Sequence, residues 1–382
     1  MDAHLDEEYE ALRVTVEEFA RREVAPVIGE LYERGDFPYQ LVKRMGAMGL
    51  FGLPFPEEYG GMGGDYFALC LALEELARVD SSVAITLEAG VSLGAMPIFR
   101  FGTDEQKARW LPELCRGDRL GAFGLTEAGG GSDAGATRTT ARLDGDEWVI
   151  NGSKVFITNS GTHITSLVTV TAVSGGRPDG GKEISAIVVP AGTPGFTVSE
   201  KYSKVGWCAS DTRELYFDDV RVPAENLLGE RGRGYAQFLS ILDEGRIAIA
   251  ALSVGLAQGC VDESVRYAKV REAFGAPIGS YQAIKFTIAD MEARAHTARL
   301  AYHHAAAKML AGEPFKKEAA IAKLVSSNAA MDNARAATQV FGGYGFMNEY
   351  PVGRFYRDAK ILEIGEGTSE VQRMLIARRL GL

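Results

Sequence analysis

The hydrophobic period of the chain changes twice along its length, and this change restricts the possible folds more than any other feature. Apolar residues recur at helical spacing over residues 1–120, at the two-residue spacing of strands over residues 121–228, and at helical spacing again over residues 229–382. Strands and helices do not alternate, so a Rossmann fold is disfavoured. The pattern predicts a multi-domain α+β protein: an N-terminal α-helical domain, a middle antiparallel β-barrel or sandwich, and a C-terminal α-helical bundle.

The overall composition narrows the function classes. Asp and Glu number 51 against 41 Lys and Arg, a net charge of −10, which disfavours non-specific binding of nucleic acid or anionic membranes. The four cysteines form no C-x-x-C pair, so neither a zinc site nor a disulfide framework is expected. The acidic N-terminal segment does not resemble a signal peptide, and no stretch reaches the ~18 apolar residues of a membrane span. These features favour a cytoplasmic protein without a metal.

Three short motifs match known sites but lack the context those sites need. Residues 90–94 fit the G-x-S-x-G elbow of serine hydrolases, yet they lie in a predicted helical region rather than after a strand. Residues 176–182 fit a P-loop except that Glu183 replaces the Mg²⁺-binding hydroxyl residue, so a surface hairpin is expected. Three histidines on one predicted helix lack the convergent spacing of metal ligands. These are His296, His303 and His304.

Two segments of the β region carry residues suited to a flat or anionic ligand. In residues 123–133, three consecutive glycines stand beside Thr126 and Ser132, whose hydroxyls could bind anions or ring edges, although a flexible loop would explain the segment about as well. Residues 148–159 are predicted to form a β-hairpin with an Asn151-Gly152 turn. Its second strand presents an aromatic and a hydroxyl residue; by itself this would be an ordinary hairpin.

Two further segments belong to the C-terminal helical region. Arg271 follows a long predicted helix. It could clamp a phosphate there, or its positive charge could simply interact favourably with the C-terminal end of the helix dipole. Glu366 lies between two glycines just before a predicted helix at 369–380, and Ser369 with Gln372 forms the S-x-x-Q pattern of a capping box. The glycines leave space for a flat substrate beside the carboxylate. A loop carboxylate stabilised by the following helix is the alternative.

Together and in this order, the segments resemble the acyl-CoA dehydrogenase family over nearly the whole chain. The matching motifs are P-E-E-Y-G-G at 56–61, L-T-E-A-G-G-G-S-D at 125–133, F-I-T-N at 156–159, Y-F-D-D-V-R-V-P at 216–223, Q-V-F-G-G at 339–343 and E-G-T-S-E-V-Q-R at 366–373. The resemblance implies an FAD cofactor, an acyl-CoA substrate, an electron-transfer flavoprotein as electron acceptor, and a homotetramer built as a dimer of dimers.

The resemblance also implies roles for individual residues. Those expected around FAD are Phe123, Leu125, Thr126, Gly131, Ser132, Phe156, Ile157, Thr158, Phe274, Thr368, Ser369 and Glu370. Those expected to reach the FAD of a neighbouring subunit are Arg271, Gln282, Gln339, Val340, Phe341, Gly342 and Gly343. Those expected to contact the substrate are Ser132, Asp243, Glu244, Gly245, Arg246 and Gly367.

Glu366 matches the family's catalytic base. Some members instead carry the base directly before the arginine that Arg246 matches, but here that residue is Gly245, with Glu244 one position away. The resemblance implies that Glu366 removes the α-proton while the β-hydrogen leaves as hydride to flavin N5, which gives the trans-2-enoyl-CoA. The alternatives are an acyl-CoA oxidase that uses O₂ and a non-catalytic acyl-CoA or flavin-binding module. Glu88 stays open: it could mark a polar acyl group, or it could be paired or solvated.

Overall fold

The computed structural model describes residues 5–382, and the first helices follow the predicted pattern. Helix α1 begins after Asp6, whose side chain accepts a hydrogen bond from the Tyr9 N–H, and Val16 and Phe19 lie on its buried face. The helices that precede the sheet are α1 Glu7–Phe19, α2 Ala25–Arg34, α3 Tyr39–Ala47, α4 Tyr66–Ala77, α5 Ser81–Glu88, α6 Met96–Phe101 and α7 Asp104–Cys115. Among the described residues this region is therefore helical, as predicted.

An eight-stranded sheet follows. Its strands are β1 Leu120–Gly124, β2 Thr140–Asp144, β3 Glu147–Thr158, β4 Thr165–Gly176, β5 Lys182–Pro190, β6 Phe196–Val198, β7 Thr212–Pro223 and β8 Leu227–Leu228. The order across the sheet is β6-β7-β3-β2-β4-β5-β8, with β1 beside β4. Most neighbours are antiparallel, but β1 and β2 run parallel to β4, so the sheet is mixed. Its strands enclose an apolar core of their own that includes Trp148, Ile150 and Phe217.

The predicted hairpin at residues 148–159 is wrong. These residues form the single strand β3, which pairs with β2 on one side and β7 on the other. The register of the pairing with β7 shifts between Ile150 and Gly152, so the Asn-Gly pair forms an irregularity in the strand rather than a turn. The actual turn comes earlier, at Gly145, which has φ of +65°. Ladder hydrogen bonds on both sides keep the backbone extended at this dipeptide, although the dipeptide would favour a turn in isolation.

The C-terminal region is helical, as predicted. Apolar spacing predicts helices at 234–270, 281–311, 315–341 and 369–380, and the structure has one more at Pro351–Leu362. The long helix Gly234–Val270 comes first and is followed by a short antiparallel ribbon of β9 Glu272–Ala273 and β10 Ala276–Pro277. Later helices of this region pack around the long helix. The helices are α8 Gly234–Val270, α9 Gln282–Leu310, α10 Lys316–Phe341, α11 Pro351–Leu362 and α12 Ser369–Arg379. Helix α8 packs against α4, α9 and α10. Because nearly every residue of α8 between 245 and 261 is buried, this helix joins the two helical regions in one core.

The motifs that lacked context are structural. Ser92 is 1 % exposed in a π-helical turn, and the backbone around Gly94 packs directly on β1, where a Cβ would lie 2.7 Å from the Gly121 carbonyl oxygen. The P-loop match is the connection between β4 and β5, as predicted. Within residues 5–382, no group of three or more His, Cys, Asp or Glu side chains could hold a metal ion.

One helical stretch in the described part of the chain is long and apolar enough to cross a membrane. It runs from Ser81 to Phe101 and includes α5 and α6. In its most apolar window, 89 % of the residues are buried inside the protein. Its apolar surface is therefore used in packing against the rest of the fold.

Candidate active site

Glu366 lies in the loop between α11 and α12, in a backbone conformation that few residues other than glycine adopt. Its φ is +51°, and that of Gly367 is +96°. The Gly367 carbonyl oxygen accepts two hydrogen bonds, from Lys323 Nζ at 2.7 Å and from Gln372 Nε2 at 2.8 Å. Contacts from α10 and α12 therefore hold the loop in place.

The carboxyl group of Glu366 points at α8, where a glycine leaves room for it. A Cβ added to Gly245 would lie 2.5 Å from Glu366 Oε2, closer than such atoms approach in proteins. Oε2 is buried and has no hydrogen-bond partner among residues 5–382. A side chain at position 245 and the carboxyl group of Glu366 would therefore compete for one space.

A second carboxyl group, that of Glu88 at the end of α5, is fully buried on the same side of Gly245. Glu88 Oε1 lies 3.9 Å from the same Cβ position, and neither Glu88 oxygen has a hydrogen-bond partner of normal geometry in the described chain. The neighbouring hydroxyls of Tyr66 and Ser92 lie 2.8 Å apart and bond to each other. Of the alternatives left open for Glu88, solvation is therefore wrong, because its carboxyl group is buried beside that of Glu366.

Burial and neighbouring charges give the two carboxyl groups different protonation. Burial raises the pKa of Glu366 to about 7, and the contact with Glu88 and the positive charges of Lys323 and Arg246 limit that rise. Burial and the negative charge of Glu366 raise the pKa of Glu88 well above its usual range. Two adjacent buried carboxyl groups do not both ionise, so Glu88 keeps its proton while Glu366 titrates near neutral pH. A carboxylate whose pKa is near 7 is suited to general base catalysis at neutral pH.

The polar residues on the same turn of α8 are held by ion pairs. Asp243 binds Arg246 and also Lys316, whose Nζ lies 2.5 Å from Asp243 Oδ2. Glu244 binds Arg100 at 3.0 Å, and its pKa is raised by burial. Of the predicted substrate-contact residues of α8, the structure brings Gly245 and Arg246 next to Glu366. It leaves Glu244 engaged by an arginine.

The residues predicted to line a flavin divide into a buried and an open group. Phe123 stacks on Phe238 of α8 with ring centroids 3.9 Å apart, and Leu125 and Ile157 are buried as well. Phe156 is 67 % exposed and has φ of +62°, which turns its ring out of the strand. The remaining members on this side are half-buried or exposed, namely Thr126, Gly131, Ser132 and Thr158.

A second group of predicted cofactor residues lies at the C-terminal end of α10. There a cavity of about 460 Å³ is lined by Arg271, by Tyr344 and by residues 340–343. The Arg271 guanidinium lies 5.7 Å from the centre of the Tyr344 ring. Nearby, Phe274, Gln282 and Gln339 are exposed, and Phe274 reaches 97 % exposure.

The residues after Glu366 start α12, but the predicted capping box is wrong by one position. The Thr368 side chain accepts the hydrogen bond from the Val371 N–H and caps the helix. Ser369 Oγ is buried without a partner among the described residues, and Glu370 is exposed. Gln372 does not return to a cap, because its amide donates to Gly367 instead. The loop carbonyl competes with the cap for this side chain.

Sequence reasoning missed Lys323, although a signal for it existed. Lys323 falls in an Ala- and Ser-rich stretch of α10 whose buried face includes Ala319 and Ser327, four residues before and after it. A lysine on the apolar face of a predicted helix is a buried cation, and such a residue needs a reason. Nothing local shows which group it meets, since Gly367 lies 44 residues away.

Comparisons with known proteins agree with this architecture. The family descriptions "Acyl-CoA dehydrogenase, N-terminal domain", "middle domain" and "C-terminal domain" match residues 6–118, 122–220 and 232–381. A Bacillus subtilis protein named probable acyl-CoA dehydrogenase YngJ is 50% identical over 380 residues, which is 100% of both chains.

Two solved structures share the whole fold. Butyryl-CoA dehydrogenase from Megasphaera elsdenii matches with a TM-score of 0.96 and 43% identity, with 100% of each chain covered. A chain from a structural study of the electron-transferring flavoprotein of Acidaminococcus fermentans also matches with a TM-score of 0.96 and 43% identity, covering 100% of this chain and 99% of that one. The matches run across all three regions at high identity, and the protein is therefore a member of the acyl-CoA dehydrogenase family of flavoprotein oxidoreductases.

Proposed function

We propose that the protein uses FAD to introduce a double bond between Cα and Cβ of a short acyl-CoA thioester, with Glu366 as the catalytic base. The observation that carries the proposal is the state of the Glu366 carboxyl group. Its Oε2 atom is buried and has no hydrogen-bond partner of normal geometry among the described residues, Lys323 anchors its loop, and burial raises its pKa to about 7. This combination describes a base that is ready to accept a proton at neutral pH.

The backbone beside Glu366 supplies the second requirement of α-proton removal. Loss of that proton places negative charge on the thioester carbonyl oxygen, which then needs a hydrogen-bond donor. Among the described residues, the Glu366 N–H donates no hydrogen bond. The left-handed conformation of Glu366 leaves this N–H available, so one residue can both remove the proton and stabilise the resulting charge.

The residues present fit an FAD cofactor. Phe156 offers an exposed aromatic ring on β3, next to Val155, whose N–H donates to the Thr126 carbonyl oxygen. In the 126–132 loop, a Cβ at Gly131 would meet no atom of the described residues within 4 Å. Buried Ser369 Oγ lacks a partner in the described chain, and Arg271 with Gly342 and Gly343 forms a cationic, backbone-rich surface suited to phosphate. When bound, FAD supplies the two-electron acceptor for the hydride that leaves the β-carbon.

A short acyl chain is the substrate supported best. The solved relative from Megasphaera elsdenii, which matches along the whole length of this chain, is named for butyryl-CoA. Comparing the rates of reduction by butyryl-, octanoyl- and hexadecanoyl-CoA tests this point, and we expect butyryl-CoA to react fastest. A preference for the longest chain would contradict it.

The decisive experiment is an anaerobic titration of the flavin-loaded protein with butyryl-CoA. We expect the oxidised flavin absorbance to bleach in the wild type and to persist in Glu366→Gln, which keeps the size of the side chain but cannot accept a proton. Glu244→Gln is the matched control, because Glu244 is a half-buried glutamate next to Gly245 in the chain and is held by Arg100. Bleaching of Glu366→Gln at a near-normal rate would refute the role of Glu366.

The electron acceptor is proposed to be an electron-transfer flavoprotein. The support is the close structural match to the chain from the Acidaminococcus fermentans flavoprotein study. Reduced enzyme should be reoxidised rapidly by an electron-transfer flavoprotein and slowly by air. Rapid production of peroxide in air would instead identify an acyl-CoA oxidase.

We also propose that the Arg271 surface completes the cofactor site of a neighbouring subunit in a homotetramer. The exposed aromatic side chains at Phe274 and Tyr344 support this, since apolar rings at this exposure are typical of surfaces that become covered. Light scattering of the flavin-loaded protein should give the mass of four chains, and Arg271→Ala should lower the FAD content. A monomer with full FAD content would contradict the proposal.

A further inference from the structure

Lys323 is a buried cation without a partner carboxylate. Its side chain has no exposed surface, and within residues 5–382 no carboxylate oxygen lies within 4.0 Å of Nζ. Among the described residues, Nζ makes one hydrogen bond, to the Gly367 carbonyl oxygen at 2.7 Å. Burial of an ammonium group is unfavourable unless charge nearby compensates it. A lysine kept in such a place needs a function that a neutral residue would not perform.

The position of the Gly367 carbonyl decides where Glu366 points. Glu366 has a φ of +51°, which a residue with a Cβ adopts only when surrounding contacts enforce it, whereas Gly367 adopts its positive φ without strain. Lys323 and Gln372 bind this carbonyl from two different helices. Removal of either donor would release the loop in part, but only the loss of Lys323 would also remove a positive charge.

Several charged groups surround Glu366 and Lys323. Glu366 is faced by Glu88 from α5 and by Arg246 from α8, as well as by Lys323 from α10. Lys323 also meets the more distant charges of Glu363 and Glu370. Burial lowers the pKa of Lys323 to about 8, so the ammonium form prevails at neutral pH. The positive charge of Lys323 favours the ionised form of Glu366 across the loop.

We propose that Lys323 is a positioning residue for the catalytic base, which fixes the Glu366 loop through the Gly367 carbonyl and favours ionised Glu366 through its charge. This inference rests on the function proposed above for Glu366. Lys323 contributes both a hydrogen bond and a positive charge to this loop. Gln372 contributes a hydrogen bond alone.

Three variants separate the two contributions. Lys323→Met removes the donor and the charge, Lys323→Gln removes the charge but keeps a donor, and Gln372→Leu removes the second donor without changing charge. The measurement is the pH dependence of the rate of flavin reduction by butyryl-CoA under anaerobic conditions. We expect both Lys323 variants to move the midpoint upward by about one pH unit, since loss of an opposite charge a few ångströms away has roughly this effect. Gln372→Leu should slow reduction without moving the midpoint.

The affinity for a non-reacting acyl-CoA thioether provides a readout that does not depend on turnover. Its binding is measured through the change that it causes in the flavin absorption spectrum. We expect its affinity to change less than threefold in Lys323→Gln, because the loop keeps a donor. Lys323→Arg, which keeps the charge, should retain the wild-type midpoint.

The outcomes distinguish this inference from the proposed function. If wild-type flavin is not reduced by acyl-CoA, the proposed function fails. If the wild type is reduced in a manner that depends on Glu366, but the midpoints of Lys323→Met and Lys323→Gln coincide with that of Gln372→Leu, only the inference about Lys323 is overturned. If neither Lys323→Met nor Lys323→Gln folds with bound flavin, the lysine is a structural residue and the inference is likewise overturned.

Discussion

At the scale of single residues, the proposed chemistry depends on an ionised Glu366 beside a protonated Glu88. Because burial raises the pKa of Glu366 to about 7, the base is mostly protonated, and inactive, below that pH. We expect the rate of flavin reduction by saturating butyryl-CoA to rise as pH increases through about 7 and to level off above it. Stopped-flow measurements between pH 5.5 and 8.5, at constant ionic strength, check this sign. A rate that falls with increasing pH over this range would contradict the assignment of Glu366 as base.

Gly245 provides a second test at this scale. We expect Gly245→Ala to slow flavin reduction on the order of 10²-fold, because the new methyl group would displace the Glu366 carboxyl group from its position. Stability should change little or rise, since alanine favours helix more than glycine does. Paired measurements of flavin reduction and of melting temperature separate the two effects. A fully active Gly245→Ala variant would show that the contact does not hold in solution.

At the scale of elements, the close packing of α4 on α8 depends on small residues. A Cβ at Gly255 would lie 2.1 Å from the Glu74 carbonyl oxygen, a backbone atom that cannot move alone. We expect Gly255→Ala to push the two helices apart and to lower the free energy of unfolding by about 1–3 kcal/mol, despite its better helix propensity. Denaturant unfolding measures this value. Gly176→Ala is the control, because no atom of residues 5–382 lies within 4 Å of its Cβ position and stability should hardly change.

The elements also show how much of the fold the sequence predicts. Helices α8, α9, α10 and α12 lie within a residue or two of the segments predicted from apolar spacing. The Asn151-Gly152 turn was wrong because β3 pairs on both sides, and pairing partners far along the chain outweigh a local turn preference. The predicted capping residue of α12 was wrong by one position, because the Gln372 side chain donates its hydrogen bond to the Gly367 carbonyl oxygen in the Glu366 loop.

At the scale of the whole molecule, buried Asp358 links the three regions of the chain. Its carboxylate accepts hydrogen bonds from Tyr32 Oη at 2.5 Å, from Ser81 Oγ at 2.7 Å and from the Trp207 N–H at 2.7 Å. Tyr32 and Ser81 belong to the first helical region, Trp207 to the β region, and Asp358 to α11. One buried side chain therefore bonds to residues of all three regions at the place where they meet.

We expect Asp358→Asn to lower the free energy of unfolding by about 3 kcal/mol, because the amide group cannot satisfy three donors at a buried site. Thermal unfolding should also lose cooperativity, with the regions melting over a wider temperature range. Calorimetry measures both quantities. Asp332→Asn, at a partly exposed ion pair on α10, should change stability by less than about 0.5 kcal/mol.

The sequence by itself determined the order of helical and β regions, the loop with Glu366 between two glycines, and the family resemblance that the comparisons confirm. These features are local, because a hydrophobic period or a motif is complete within a few neighbouring residues. Only the tertiary structure decided the surroundings of Glu366, where Glu88, Gly245 and Lys323 come from three different helices. The charges of Glu366, Glu88 and Lys323 change one another's pKa values strongly only when water is excluded from between them. The spacing of these residues along the chain does not predict that exclusion.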